Sequence, residues 1–424
     1  MRGFAGRRGL RPLRGAQRAR KNGFLLKELT VLDIFQKCFD YTLAEETRQA
    51  GLYPYFHEIS SRQNPELLMN GRRTIMLGSN NYLGLTADER VIAAAQQALI
   101  DFGTGCSGSR FLNGTLTLHN ELEREIAEFF GYEDAVVFST GFQTNLGILS
   151  ALCGPRDLII MDRRNHASLY DAARLSFSRS VKFAHNDMAE LETRLAAADD
   201  SRGKLIVVDG VFSMEGDVCD LPAIAALAGK YGARIMVDDS HGVGTMGAAG
   251  RGVGEHFGMM DKIDILMGTF SKSLASLGGF MASSRQVCEF VRHNSRPFIF
   301  SASIPPSSTA AALCALRLMQ AHPGMVAKVN ENADYMRDGF KRLGMPVIDS
   351  VAPIIPVHIG DDNTTFLITR KLLEAGVYVN PVVSPAVEQG NAILRTSYTA
   401  TMTREQLDFA LTAFESVFRE MGLI

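Results

Sequence analysis

A chain of 424 residues, 46% of them hydrophobic, can bury a large core, and its length allows two or three domains. A formal net charge of -2 and a pI near 6.5 exclude a strongly basic nucleic-acid-binding body, and no apolar run approaches the roughly 20 residues of a membrane span. Six cysteines without C-x-x-C spacing give no zinc motif and fit reduced, mostly buried thiols of a cytosolic protein.

The first stretch is arginine-rich, from Arg2 to Lys21, ahead of the first acidic residue, Glu28. Residues 1–28 are expected to be a disordered arm without catalytic role; an arm touching anionic lipid or RNA, an organellar transit peptide and an upstream start are the alternatives. Val31, Ile34, Phe35, Tyr41 and Leu43 predict a helix over 30–52, closed by Pro54. Asn70-Gly71 between short apolar runs is a hairpin signal, so 29–85 reads as a helix and hairpin segment.

From Asp88 a helix, a loop and a helix lead into nearly two hundred residues of alternating strand and helix, the pattern of a parallel sheet. Strands are expected at Ala135–Phe138, Leu158–Met161, Val181–Ala184, Leu205–Val208, Ile235–Val237, Ile263–Met267 and Gly279–Ala282, in a large α/β domain over 86–320. After it the texture changes: a helix near Val326–Leu343, strands near Ile354–Ile359 and Ala392–Thr396, and a helix over Arg404–Phe418 form a smaller α+β domain, 321–424.

In a parallel sheet, ligands sit beyond the carboxyl ends of the strands. Those ends carry Ser139 to Asn145, Asp162 to Ser168, Asp209 to Asp217, Asp238 to Gly242, and the loop Gly268 to Phe280 with Lys272 among small and hydroxylated residues. A lysine held out of water there is a candidate amine nucleophile, and hydroxyls with a helix N-terminus suit an anion. Taken singly, each has a plain alternative: a solvated lysine in a Ser/Gly loop, a structural histidine, a helix-capping aspartate. Together they match what pyridoxal phosphate needs. Lys272 offers the amine and Asp238 a partner for the ring nitrogen. Ser213 and His241 suit the phenolic oxygen, His166 the ring face, and Gly141, Phe142, Thr269 and Ser271 the phosphate.

At these residues the chain resembles the α-oxoamine synthases, fold-type I pyridoxal phosphate enzymes of aspartate aminotransferase-like fold. The resemblance runs from about Tyr41 to the C-terminus and rests on Ser79 to Leu85, Gly105 to Arg110, Asn113 to Thr115, Ser139 to Phe142, Asn165 to Ser168, Asp238 to His241 and Thr269 to Lys272. Within the family it is most similar to the homodimeric bacterial serine palmitoyltransferases. The resemblance implies a Schiff base on Lys272 and an amino-acid carboxylate held by Arg395 with help from Ser109. It also implies a homodimer with shared active sites, to which Tyr82 and Phe300 to Ser303 are possible contributions from the neighbour, Ser303 at the cofactor. The implied reaction joins L-serine to a long-chain acyl-CoA, releasing CoA and carbon dioxide, without nucleic acid or metal. The implied location is cytoplasmic, with at most peripheral contact with the inner face of a membrane. Two departures stand out: Ser240 where relatives usually carry alanine, and no arginine in Pro381 to Ser384. The rival readings are another condensation of the family, glycine with acetyl-CoA or alanine with a pimeloyl thioester, and a non-catalytic scaffold subunit.

Overall fold

The computed structural model describes residues 33–348 and 350–424; the arginine-rich arm lies outside the described residues. The chain divides after Tyr53 into two units. In the first, the single helix expected over 30–52 is instead two short ones, Gln36–Phe39 and Leu43–Gln49. The break falls where the Thr42 hydroxyl bonds Glu46 and the Thr42 carbonyl accepts from the Glu45 and Glu46 amides, which starts a new helix.

The second unit begins with the hairpin β1 (Glu66–Met69) and β2 (Arg72–Met76), turned by Asn70 and Gly71 at φ 50° and 76°. Its main sheet has seven strands: β3 (Asp134–Phe138), β4 (Leu158–Asp162), β5 (Arg179–Phe183), β6 (Lys204–Asp209), β7 (Arg234–Asp238), β8 (Ile265–Thr269) and β9 (Gly279–Ser283). They lie in the order β3-β9-β8-β7-β6-β4-β5, with β9 antiparallel to both neighbours and the remaining pairs parallel. Alternate side chains divide between two faces. Val137, Ile160, Val208, Val237 and Phe280 join a core with Leu122 and Ile126 of helix Thr117–Phe130; Val136, Met161, Val207, Met236 and Met281 join another with Ile148 of helix Gly141–Leu152 and Leu169 of helix Ala167–Leu175. Apolar cover on both sides explains why these strands are near-continuous apolar runs.

Farther along the chain, β10 (Ile354–Gly360), β11 (Val377–Tyr378), β12 (Asn380–Val382) and β13 (Ala392–Ser397) follow. β13 stands between β10 and β12, whereas β11 pairs in parallel with β2 of the hairpin. Helices Gly324–Arg342, Asp362–Glu374 and Arg404–Glu420 cover this sheet through Phe340, Ile368, Phe414 and Phe418. Ile75 and Leu77 of the hairpin enter the same core. Cys153, Cys219 and Cys288 are buried, Cys106 and Cys314 partly so, and Cys38 is exposed.

Candidate active site

The carboxyl ends of β3, β4, β6, β7 and β8 open on a cavity of about 240 Å³ lined by Gly141, His166, Asp238, His241, Thr269 and Lys272, among others. Asp238, last residue of β7, is buried; its Oδ2 accepts from Asn145 Nδ2 at 2.7 Å and its Oδ1 from the Ser240 amide at 3.2 Å. Asn145 also donates to Ser168 Oγ at 2.9 Å, and that hydroxyl lies 2.7 Å from His166 Nδ1. One amide group thus fixes both the carboxylate and the imidazole. The His166 backbone N–H donates to the Asp209 carboxylate at 3.1 Å, and the Asp209 amide is held by Asn165 Oδ1 at 3.1 Å.

Electrostatics follow from enclosure. Burial lowers the Lys272 pKa from its ordinary 10.5 to about 8, outweighing the opposite pull of Asp238 and Asp209. Burial and then the neighbouring Asp238 raise Asp209 well above the usual carboxylate range. Burial also lowers His166, against the pull of Asp238, and lowers His241 strongly, reinforced by Lys272 and Arg395. A neutral His241 can accept at Nδ1 from Tyr82 Oη, 2.7 Å away, which leaves the proton on Nε2.

At the opposite end of the cavity, helix Gly141–Leu152 begins. The Thr140 hydroxyl takes the Gln143 amide, and the Thr140 carbonyl takes Thr144, so the amides of Gly141 and Phe142 stand at the open helix end. Thr269 Oγ1 and Ser271 Oγ, 3.0 Å apart, lie beside them. A Cβ on Gly141 would stand 2.8 Å from Thr269 Oγ1, so the wall here is closed to a side chain. The donor set, an amine, a buried carboxylate with a flat imidazole and an anion cup at a helix N-terminus, fits pyridoxal phosphate group by group.

Arg395, on β13, is buried just outside this cavity. Its Nε donates to the Ser213 carbonyl at 2.5 Å and its Nη2 to Asn80 Oδ1 at 3.0 Å and Tyr82 Oη at 3.5 Å. Tyr82 is fully buried, with its Oη 2.7 Å from Nδ1 of His241 of its own chain. Ser213 lines a separate groove of about 1010 Å³, whereas Val211 lines the Lys272 cavity. That groove, also lined by Arg163, Arg164, Tyr170 and Pro385, meets the cavity at His166. Ser303 lies against the Gly108 carbonyl, 3.1 Å away, outside its own chain's cavity, and Ser109 Oγ is buried without a partner. Asn145 carries no signal in the sequence that marks its role; Asp209 does, as an acidic residue closing an apolar strand.

Residues 72–414 match the family described as aminotransferase class I and II. The chain belongs to this family. It is 46% identical over 380 residues to a serine palmitoyltransferase of Sphingobacterium spiritivorum, covering 90% of this chain and 95% of that one. It is 39% identical over 390 residues to an 8-amino-7-oxononanoate synthase of Thermosipho melanesiensis, covering 91% and 100%. A solved serine palmitoyltransferase with a pyridoxal phosphate internal aldimine superposes with a TM-score of 0.90 at 37% identity, over 93% of this chain and 100% of that one. Among class I and II aminotransferase structures this chain therefore shares its fold with the serine palmitoyltransferases, as the α-oxoamine synthase resemblance implies.

Proposed function

We propose that the protein is a pyridoxal phosphate-dependent acyltransferase that joins L-serine to a long-chain acyl-CoA such as palmitoyl-CoA. The products are 3-ketodihydrosphingosine, CoA and carbon dioxide, the first step of sphingolipid synthesis. What carries the reading is the meeting of Lys272, Asp238, His166 and His241 in one cavity, in a chain that aligns over nearly its whole length with serine palmitoyltransferases.

Bound pyridoxal phosphate supplies an electron sink for the α-carbon of an amino acid. The residues set the conditions for it. Asp238, held by Asn145 and the Ser240 amide, would keep a proton on the ring nitrogen. The Gly141 and Phe142 amides with Thr269 and Ser271 would hold the phosphate, His241 would offer its Nε2 proton to the phenolic oxygen, and His166 would lie against the ring. Lys272, with its lowered pKa, is a base matched to neutral pH and takes the α-proton. Arg395 receives the serine carboxylate; its guanidinium is already aligned by Ser213 and Asn80. The groove that meets the cavity at His166 gives the thioester a route, with Arg163 and Arg164 on its wall.

The working form is a homodimer with shared sites. Phe142 and Leu277, on the cavity wall, are 44% and 51% exposed, and Leu112 and Phe300 are 76% and 78% exposed; a second copy would cover such apolar surface and bring its own Ser303 to the cofactor. Among the described residues no helix is long and apolar enough to cross a membrane.

The full-length similarity to 8-amino-7-oxononanoate synthase supports a second reading, condensation of a different amino acid and thioester on the same machinery. A scaffold subunit would have no use for the Lys272, Asp238 and His166 set. The deciding assay is CoA-thiol release by the cofactor-loaded protein with palmitoyl-CoA, comparing L-serine, glycine and L-alanine. A preference for serine is expected. Release only with glycine, alanine or short thioesters would replace the substrate assignment, and no release with any pair would favour the scaffold.

A further inference from the structure

One charged cluster lies outside the Lys272 cavity, with its Asp217 on the wall of the groove that meets it. His185, just after β5, stands between two carboxylates: Nδ1 is 3.0 Å from Asp162 Oδ1 at the end of β4, and Nε2 is 2.5 Å from Asp217 Oδ2. Its ring meets Phe212 edge-on at 4.4 Å between centroids. Asn186, in the left-handed region at φ 51°, donates its backbone N–H to Asp162 Oδ2 at 2.9 Å and its side-chain amide to the Val218 carbonyl at 3.0 Å. On one side the pair grips β4; on the other it grips the segment 211–218.

That segment is a closed loop. Val211 pairs with Val218, the Phe212 amide donates to the Asp217 carbonyl at 2.9 Å, and the Gly216 amide to the Phe212 carbonyl at 2.8 Å. It touches the active site twice: Val211 lines the Lys272 cavity, and the Ser213 carbonyl receives Arg395 Nε. We propose that His185 is a positioning residue, an imidazolium that bridges Asp162 and Asp217, clamps the 211–218 loop to the strand ends, and through the Ser213 carbonyl orients Arg395. This rests on the reading of Arg395 as the carboxylate-binding residue.

The local charges support the clamp. Burial alone would lower the His185 pKa, but its bonds to Asp162 and Asp217 override that and raise it to about 9, so both ring nitrogens donate at neutral pH. Of the neighbouring charges, Glu215 is paired with Arg164 at 3.1 Å, and Glu190 accepts the Ala184 amide at 2.7 Å. His185 is therefore the cation between Asp162 and Asp217. A glutamine there would have no charge to set against them.

The test uses the full-length, cofactor-loaded protein with His185→Gln and, as an independent variant, Asp217→Asn. Calorimetric titration with L-serine, glycine and L-alanine should show affinity for the amino acid that the wild type binds falling about ten-fold in each variant. In an Arg395→Lys background the His185→Gln effect should vanish, because both changes act on one contact. Hydrogen exchange on the cofactor-free protein should rise at 211–218 and not in β7 or β8. Unchanged exchange at 211–218, or a His185→Gln loss that persists in full without Arg395, would overturn the proposal. If the wild type binds none of the three amino acids, the functional reading fails, and the exchange measurement alone decides for or against the clamp.

Discussion

Replacing Lys272 by methionine should stabilise the cofactor-free protein at pH 7, and most of the gain should vanish by pH 10. In the folded chain the lysine pKa is about 8 against an ordinary 10.5, because burial of the ammonium outweighs its attraction to Asp238, Asp209 and Asp239. The unfolded chain therefore binds this proton more tightly. Between pH 8 and 10.5 the unfolded state carries the extra proton, so stability rises with pH; below pH 8 the full penalty is present. A shift of about 2.5 units corresponds to about 3 kcal/mol. Methionine keeps a similar length without a charge to desolvate. The aspartates lose a cation in the exchange, so about 3 kcal/mol is an upper bound at pH 7, shrinking to less than about 1 kcal/mol at pH 10. Urea unfolding followed by far-ultraviolet circular dichroism suits a chain without tryptophan. A variant no more stable than the wild type at pH 7, or one whose advantage is equal at both pH values, would refute the argument that desolvation sets the state of this amine. The same shift has a functional side: at pH 7 about one amine in ten is neutral, instead of about one in three thousand for an unperturbed lysine.

Gly141→Val should lower affinity for pyridoxal phosphate at least about ten-fold without unfolding the protein, since its Cβ would press on Thr269 Oγ1 at the anion end of the cavity. Equilibrium dialysis reads this directly, and unchanged retention would remove the Gly141 amide from the phosphate site. Arg395→Lys loses the planar fork shared by Ser213 and Asn80; the KM for L-serine should rise about ten-fold or more while the KM for palmitoyl-CoA stays put, and a parallel rise in both would argue for a general structural role. Ser240→Ala should change stability by less than about 1 kcal/mol, because the hydroxyl bonds only the Met267 sulfur at 3.4 Å while the backbone N–H still holds Asp238. The visible absorption of the loaded protein should nevertheless shift, and an identical spectrum would show that the hydroxyl has no bearing on the ring.

Lys272, Asp238, His166 and His241 are legible in the sequence for one reason: Asp238 closes β7, and His166, His241 and Lys272 follow the ends of β4, β7 and β8 by three or four residues, after runs that burial on both faces forces to be apolar. Direction and adjacency are another matter. Gly279 to Ser283 reads as the same apolar run whether it lies parallel or antiparallel, and only its pairing with both β3 and β8 shows that it runs against them. Asn145 sits within a helix, one turn beyond Gly141, where an asparagine carries no local signal; its role appears only when β7 brings Asp238 within 2.7 Å. The hairpin after residue 65 is readable from Asn70-Gly71, yet its parallel pairing with Val377–Tyr378 and the entry of Ile75 and Leu77 into the C-terminal core depend on contacts some 300 residues apart. The hardest feature to read is a backbone group. Ser213 invites assignment through its hydroxyl, but the loop after β6 presents Val211 to the cavity and the Ser213 carbonyl to Arg395. Every residue type carries a carbonyl, so no sequence pattern announces one that orients a substrate-binding arginine. What the sequence does show is the charge that holds such a loop in place, and here His185, Asp162 and Asp217 are spread over 56 positions and become one cluster only because β4, β5 and β6 lie side by side.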